Sequence, residues 1–298
     1  MAELTESHAI DLNKGKIFLD DSVVIYLNGE NGSQKISVKE FFQTLADKSL
    51  FNYVSTYIGY GMSGIYRGAN LGSGDTFLDA STAEQRASIA NGTFKGLFIG
   101  DYWTVNGVVY RIADFNYWMR SGDYDFFNTN HIVLVNDDNF GIGSMNDVSI
   151  TTGAYLGSKM YTDPSSVLNT AKIKIATDFG SFLATHRLYL PNTVDDTGAQ
   201  SVGTWVDSTA ELMNEPMVYG CFHHAKPTSN TGHLHTCDKA QLALFRLNPA
   251  MVNLRYSYWL RDVVSSASFA YVYTYGFAAY TLAPSSLGVR MAFPVKGE

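Results

Sequence analysis

The sequence predicts an α+β fold, a domain of small antiparallel sheets, short helices and long loops behind a small β-rich N-terminal segment. Three observations predict it. Short apolar runs bounded by Gly and Asn-Gly turns recur toward both ends of the chain. Helix-capping signals mark brief helices between those runs. Gly and Tyr are abundant, at 26 and 19 of 298 residues, while charged residues are only 16%, a mixture that suits short strands, turns and uncharged polar surfaces.

Taken in order, 16–20 and 22–28 read as strands, Gly29 to Gly32 as a turn, and Gln34 to Ser37 as the returning strand. Ser37-Val-Lys-Glu40 is a capping box opening a helix to about Lys48, with Phe41, Phe42 and Leu45 on one apolar face. The stretch Ser55 to Asp79 is too glycine-rich for a regular element and reads as a connection. Ser81-Thr-Ala-Glu84 caps a second helix that stops near Asn91-Gly92. Strands follow at 96–100, 102–105 and 108–112, with Asn106-Gly107 the strongest hairpin signal in the chain, and a further buried strand at 131–135. Helices are expected at 166–176, at 208–218 from the box Ser208-Thr-Ala-Glu211 until Pro216 ends or kinks it, and at 238–245. The expected organisation is an N-terminal segment 1–54, a connection with a short helix over 55–94, and one domain over 95–298.

Composition narrows function. At 46% hydrophobic residues the chain is not intrinsically disordered as a whole. A net charge of −7 without a basic run argues against nucleic acid as partner. The start Met-Ala-Glu-Leu-Thr-Glu carries acid where a signal peptide carries base, and no apolar run is long enough to span a bilayer. Synthesis in a cytoplasm without membrane insertion is the expectation, the protein either staying there or leaving by another route such as lysis. Two Cys exclude a disulfide-framework class.

The C-terminal forty residues are the most informative. Tyr258-Trp259-Leu260-Arg261-Asp262 precedes an aromatic run through Phe269, Tyr271, Tyr273, Tyr275, Phe277 and Tyr280, and Gly288-Val289-Arg290-Met291-Ala292-Phe293 closes it. Matching motifs lie upstream: Gly100-Asp101-Tyr102-Trp103, Tyr110-Arg111-Ile112-Ala113-Asp114, His131 to Asn136, Gly157-Ser158-Lys159-Met160 and Asp207 to Glu215. Over residues 95–295 this set resembles the C-type-lectin-like, sulfatase-modifying-factor-like domains of phage and prophage structural proteins. Met291 stands where that pattern has Pro, and Asp262 where it has Ser. The resemblance implies a virion protein such as a tail tip, fibre or head fibre, with other virion proteins and a host-surface glycan or protein as partners. It also implies a symmetric homo-oligomer, a trimer, and no cofactor.

Strand alternation sorts Ala270, Val272 and Thr274 inward, and Phe269, Tyr271, Tyr273 and Tyr275 outward or into a partner. Phe269, Tyr271, Tyr273, Tyr275, Phe277 and Tyr280 are therefore the candidate ligand-binding residues, because Tyr offers large amphipathic contact area at low entropic cost. The opposing reading makes the same rings core, or an assembly interface of a purely structural capsid-decoration or baseplate protein. The resemblance implies that Trp259 and Leu260 are core and that Arg261 and Arg290 bind carbonyls or pair with acids.

Enzymatic readings are weaker. The oxidases of the resembled class use a C-terminal Cys pair, and residues 238–298 contain no Cys. Among Asp101, Asp114, Asp207, Glu211 and Glu215, a carboxylate pair would serve a glycosidase, but Glu211 reads as a cap and Asp101 and Asp114 as turn residues. Asn136 to Asn139 reads as a hydrophilic turn, lacking the spacing of a calcium loop. If Cys221 to Cys237 forms a hairpin centred on Ser229, Cys221, His223, His235 and Cys237 share one face and could close a tetrahedral zinc site. The preferred alternative is a metal-free loop with solvated His and with its Cys reduced or joined in one disulfide, since spacing alone rarely suffices. Elemental analysis of protein purified without chelator is expected to find no stoichiometric zinc; one zinc per chain would establish the site.

Overall fold

The computed structural model describes residues 24–29, 32–37, 64–124, 127–225 and 240–298. The chain divides into two compact units, Met1–Gly59 and Tyr60–Glu298. In the first, β1 (Val24–Gly29) and β2 (Gly32–Ser37) pair antiparallel, in continuous register from Val24↔Ser37 to Gly29↔Gly32. The predicted strand at 16–20, and the helix from Ser37 to Lys48 apart from Ser37 itself, lie outside the described residues.

The larger unit is mixed α+β. It opens with β3 (Asn70–Gly74), α1 (Phe77–Ala80) and α2 (Ala83–Ala90), followed by β4 (Tyr102–Val105), β5 (Val108–Phe115), β6 (His131–Asn136) and β7 (Ile142–Gly143). Then come α3 (Lys159–Thr162), α4 (Val167–Phe179), β8 (His186–Pro191), β9 (Gly203–Ser208), β10 (Glu211–Leu212), α5 (Glu215–Tyr219) and α6 (Ala243–Leu247). The chain ends on β11 (Tyr258–Ser265), β12 (Ser268–Val272), β13 (Ala278–Leu282), β14 (Leu287–Gly288) and β15 (Met291–Lys296). Sheet order is β10-β15-β6-β5-β4-β3 in one sheet and β13-β12-β11-β14-β7 in the other, with β8 and β9 forming a separate ribbon. The sheets are antiparallel except for β3 with β4 and β11 with β14.

Local chemistry explains the elements that the sequence foretells. Asn106 and Gly107 both hold positive φ, +46° and +77°, which a two-residue hairpin turn demands and these residues tolerate, so β4 and β5 pair without slip. All six residues of β6 are buried between β5 and β15. Ser166 accepts the Asn169 amide and starts α4, which turns Leu168, Ala171, Ile175 and Phe179 inward. There Phe179 meets Phe77, Tyr110 and Phe293 at centroid distances of 4.9 to 5.2 Å. Asp178 is buried beside them and accepts from Tyr110 at 2.5 Å and Lys174 at 2.6 Å.

The strand expected at 96–100 is reduced to a single bridge from Ile99 to Tyr66, and the helix expected at 238–245 covers Ala243–Leu247. Three further expectations about elements fail for identifiable reasons. The glycine-rich stretch is no plain connection, because Asn70–Gly74 is a strand. Its glycines admit α1: a Cβ on Gly72, at φ +153°, would lie 2.0 Å from the Ala80 carbonyl oxygen. Second, α2 starts one residue later than expected, with Thr82 and Gln85 closing the capping box, while Ser81 Oγ bonds back to the Phe77 carbonyl. Third, no helix spans 208–218. Ser208 and Glu211 do bond, at 2.6 Å, but side chain to side chain between two strands, and Glu211 also accepts Tyr155 at 2.6 Å and Lys172 at 2.7 Å. The helix begins instead at the Asn214 cap, with Pro216 in its first turn, where a missing N–H costs nothing.

Arg290 ties the two sheets at the point where the chain passes from β14 to β15. It is fully buried. Its Nε donates to the Asn136 carbonyl at 3.0 Å, and its Nη1 to the Met251 carbonyl at 2.8 Å and the Tyr258 hydroxyl at 3.3 Å. The guanidinium lies over the Phe245 and Tyr258 rings at 5.2 and 5.4 Å. The Met291 amide completes the joint by donating to Asn136 Oδ1 at 2.9 Å. Carbonyl binding, one of the two roles implied for Arg261 and Arg290, is thus found for both: Arg261 donates to Leu212 at 2.8 Å. Arg290→Met leaves these carbonyls without their donor and is expected to cost ~2–4 kcal/mol in chemical denaturation. A loss within experimental error of zero would show that the joint holds without it.

Candidate functional site

The β12–β13 hairpin carries the aromatic run. Its register is continuous from Ser268↔Leu282 to Val272↔Ala278. Tyr273 N–H donates to the Phe277 carbonyl at 2.9 Å and Gly276 N–H to the Tyr273 carbonyl at 2.7 Å, so residues 274–276 form a three-residue loop with Gly276 at φ +92°. That geometry places the demand for positive φ on Gly276 alone, which is why Tyr275 can precede it. Tyr219 holds the loop from below, its hydroxyl donating to the Gly276 carbonyl at 3.2 Å.

The rings do not all face outward. Phe269 is fully buried, as are Ala270 and Val272, with Phe269 6.4 Å from Trp259 of the paired strand. Alternation assigns one buried face, whereas the base of β12 is an inner strand covered on both. Tyr271 and Tyr273 are half-buried, and exposure grows toward the tip, reaching 76% at Tyr275 and 55% at Phe277. Tyr273 joins these rings: it stacks on Phe277 at 4.5 Å and 22°, and lies 5.8 Å from Tyr275 and 6.3 Å from Tyr271. Tyr280 stands apart on β13, 55% exposed, edge-on to His224 at 5.0 Å. From Asp262 to Arg290 the sequence has no charged residue, so the tip is an uncharged aromatic surface.

The loop after α5 packs beside this hairpin. Glu215, fully buried, accepts the backbone amides of His223, His224 and Ala225 at 2.9 to 3.1 Å. Three amides converging on one carboxylate fix the loop backbone without a cation. His224 thereby reaches the Ala278 carbonyl at 3.2 Å. Cys221 is exposed, its sulfur 3.7 Å from His223 Nε2. His235 and Cys237 lie outside the described residues, and no metal-holding group of three ligands occurs among the described ones.

Beneath Glu215, its own amide donates to Asp262 at 2.5 Å. Burial, reinforced by the Glu215 charge, pushes Asp262 up to about 7. The other carboxylates weighed as catalytic serve the framework. Asp101 accepts Arg67, Ala69 and Phe98. Asp114 accepts Phe115 and Ala243, and burial raises it to about 6. Asp207 meets Arg187 at 3.1 Å. In the turn after β6, Asp137 pairs with Arg111.

A cleft of about 610 Å³, unforeseen in the sequence, is lined by Tyr124, Phe127, Thr129, His186, Arg187 and Asp207. Arg187 is already held there by Asp123 and Asp207. His186 packs 4.2 Å from Trp118 with both ring nitrogens buried, and burial lowers it well below the usual imidazole range. His131, beside it, is likewise lowered by burial, to about 4. Neither presents a titrating group to the cleft near neutral pH.

Comparison with protein-family models, with characterised proteins and with solved structures finds no match.

Asp262 yields a pH prediction. Its folded value, about 7, lies above the ~3.9 of an unfolded Asp, so its contribution to stability is whole below about pH 4 and is lost as pH rises through 7. Asp262→Asn lacks this dependence, while Asp114, His131 and His186 titrate alike in both chains. Relative to the parent, the variant is therefore expected to gain stability from about pH 4 to about pH 7 and to level off above that, read as melting temperature. A pH-independent difference would refute the assignment.

Proposed function

We propose that this chain is a non-enzymatic phage virion protein, a tail tip, fibre or head fibre, whose larger unit is lectin-like and presents the hairpin tip to a host-surface glycan or protein. Tyr273, Tyr275 and Phe277 form the contact surface. The observation that carries this reading is the tip itself: exposed Tyr275 and Phe277 gathered around the half-buried Tyr273, which stacks on Phe277, on a loop whose backbone is fixed from beneath. Exposed apolar rings add little to folding, so their clustering points to a partner. The absence of charge over residues 263–289 favours a neutral ligand, for which ring faces and hydroxyls supply the contacts. The motif resemblance over residues 95–295 supports the virion setting.

A purely structural role, with the aromatic face used in assembly, is the second reading. It is favoured by the exposed Tyr280 and Leu282 on β13.

Tyr275→Ala separates the two. Removal of this exposed ring is expected to change stability by less than ~0.5 kcal/mol, while abolishing retention on an array of neutral oligosaccharides and adsorption of particles carrying the variant. Unchanged adsorption, or particles that fail to assemble, would reject the recognition role of the tip.

A further inference from the structure

β13 is the outer strand of its sheet, and its hydrogen-bond parity can be worked out. The bonded pairs with β12 include Tyr273 with Phe277, and Ala283 N–H with the Ala267 carbonyl. In an antiparallel ladder bonded and non-bonded pairs alternate. The odd-numbered residues of β13 therefore bond to β12, and Ala278, Tyr280 and Leu282 turn their amides and carbonyls to the free edge. Two of those carbonyls are engaged: Ala278 by His224 at 3.2 Å, and Leu282 by the Ser285 amide at 3.0 Å. Tyr280, between them, has neither its N–H nor its C=O bonded among the described residues.

This edge is protected at its two ends, where His224 engages the Ala278 carbonyl and the Ser285 amide the Leu282 carbonyl, and not at the Tyr280 backbone between them. Outer strands are blunted by brevity, charge, proline or bulges. β13 is five residues of Ala-Ala-Tyr-Thr-Leu in unbroken register, with Tyr280 and Leu282 about half exposed. The other edges of the two sheets are guarded: β7 and β10 are two residues long, and β3 is broken by an irregularity between Asn70 and Gly72.

We infer that β13 pairs with β13 of a second copy of this chain, antiparallel and across a twofold axis at Tyr280. In that register the two Tyr280 residues exchange both their N–H and C=O groups, forming one bonded pair on the axis. Ala278 of each copy then faces Leu282 of the other, where each carbonyl has a second lone pair to accept. The strand is self-complementary because Tyr280 is central and the outward residues on either side are apolar. Charge selects this face as well: two chains of net charge −7 repel over most of their surface, but residues 263–289 contribute no repulsion. The pairing uses the flank of the hairpin, on the side of β13 away from Tyr273 and β12.

Sedimentation of the full chain from about 1 to about 100 micromolar tests the pairing. A concentration-dependent dimer is expected. Tyr280→Pro removes an outward N–H, at a position where an edge strand tolerates proline, together with the ring, whose loss Tyr280→Thr controls for. It is expected to weaken the dimer at least about 30-fold, the loss of one net hydrogen bond from each copy. Tyr280→Thr, which keeps the N–H, should still dimerise. Amide exchange on the unaltered protein reads the same contact without a variant: the Tyr280 and Leu282 amides should become protected as concentration rises. A monomer at every concentration, a trimer, or a folded Tyr280→Pro chain that dimerises like the parent would overturn the inference. So would concentration-independent protection in a monomer, which would mean that another part of the same chain covers the edge.

Discussion

The buried guanidinium of Arg290 is the constraint on which the larger unit depends. Two sheets that share no strand meet where β14 ends and β15 begins, and a chain crossing between them leaves backbone carbonyls that neither ladder satisfies. Arg290 answers three acceptors from different parts of the chain, near residues 136, 251 and 258, with donors in one rigid plane. A lysine has the charge but not the fork. The two aromatic rings beside the guanidinium matter equally, because they compensate for the lost hydration of a charge that has no carboxylate partner among the described residues.

From this joint outward, order is handed on by backbone contacts more than by charge. Tyr258, which receives Arg290, begins β11; β11 carries Trp259, whose indole donates to the Gly143 carbonyl at 2.8 Å and secures β7 at the opposite edge. β11 also supports β12, and so the hairpin. Tyr219 and His224 brace that hairpin at Gly276 and Ala278, and both belong to the α5 region anchored on Glu215. The aromatic tip is thus an exposed surface on a stiff mount, an arrangement in which a ligand need not pay to order the backbone it meets.

Much of this was legible where one residue type answers one local demand. Asn106-Gly107 announced its turn and Ser166 its helix, while the motif resemblance implied that Trp259 and Leu260 are core and that Arg290 binds carbonyls or pairs with acids. Legibility failed where one signal serves two structures. Ser208 with Glu211 looks like a capping box, yet the same two side chains bond across a turn when Tyr155 and Lys172 supply the remaining partners, and those are 39 residues or more away in sequence. Phe269 was misassigned because alternation cannot tell a strand covered on one face from one covered on both. The role of Glu215 had no signature at all: its partners are backbone amides, which every residue possesses.

The cradle around Glu215 has one more consequence. Surface ion pairs such as Lys159 with Asp147 fade as salt screens their attraction. A carboxylate held by amide dipoles, out of reach of solvent, offers mobile ions nothing to replace. The loop bearing His223 and His224 should therefore keep its seat against the hairpin from dilute buffer to concentrated salt, so that the aromatic tip keeps the same shape across that range.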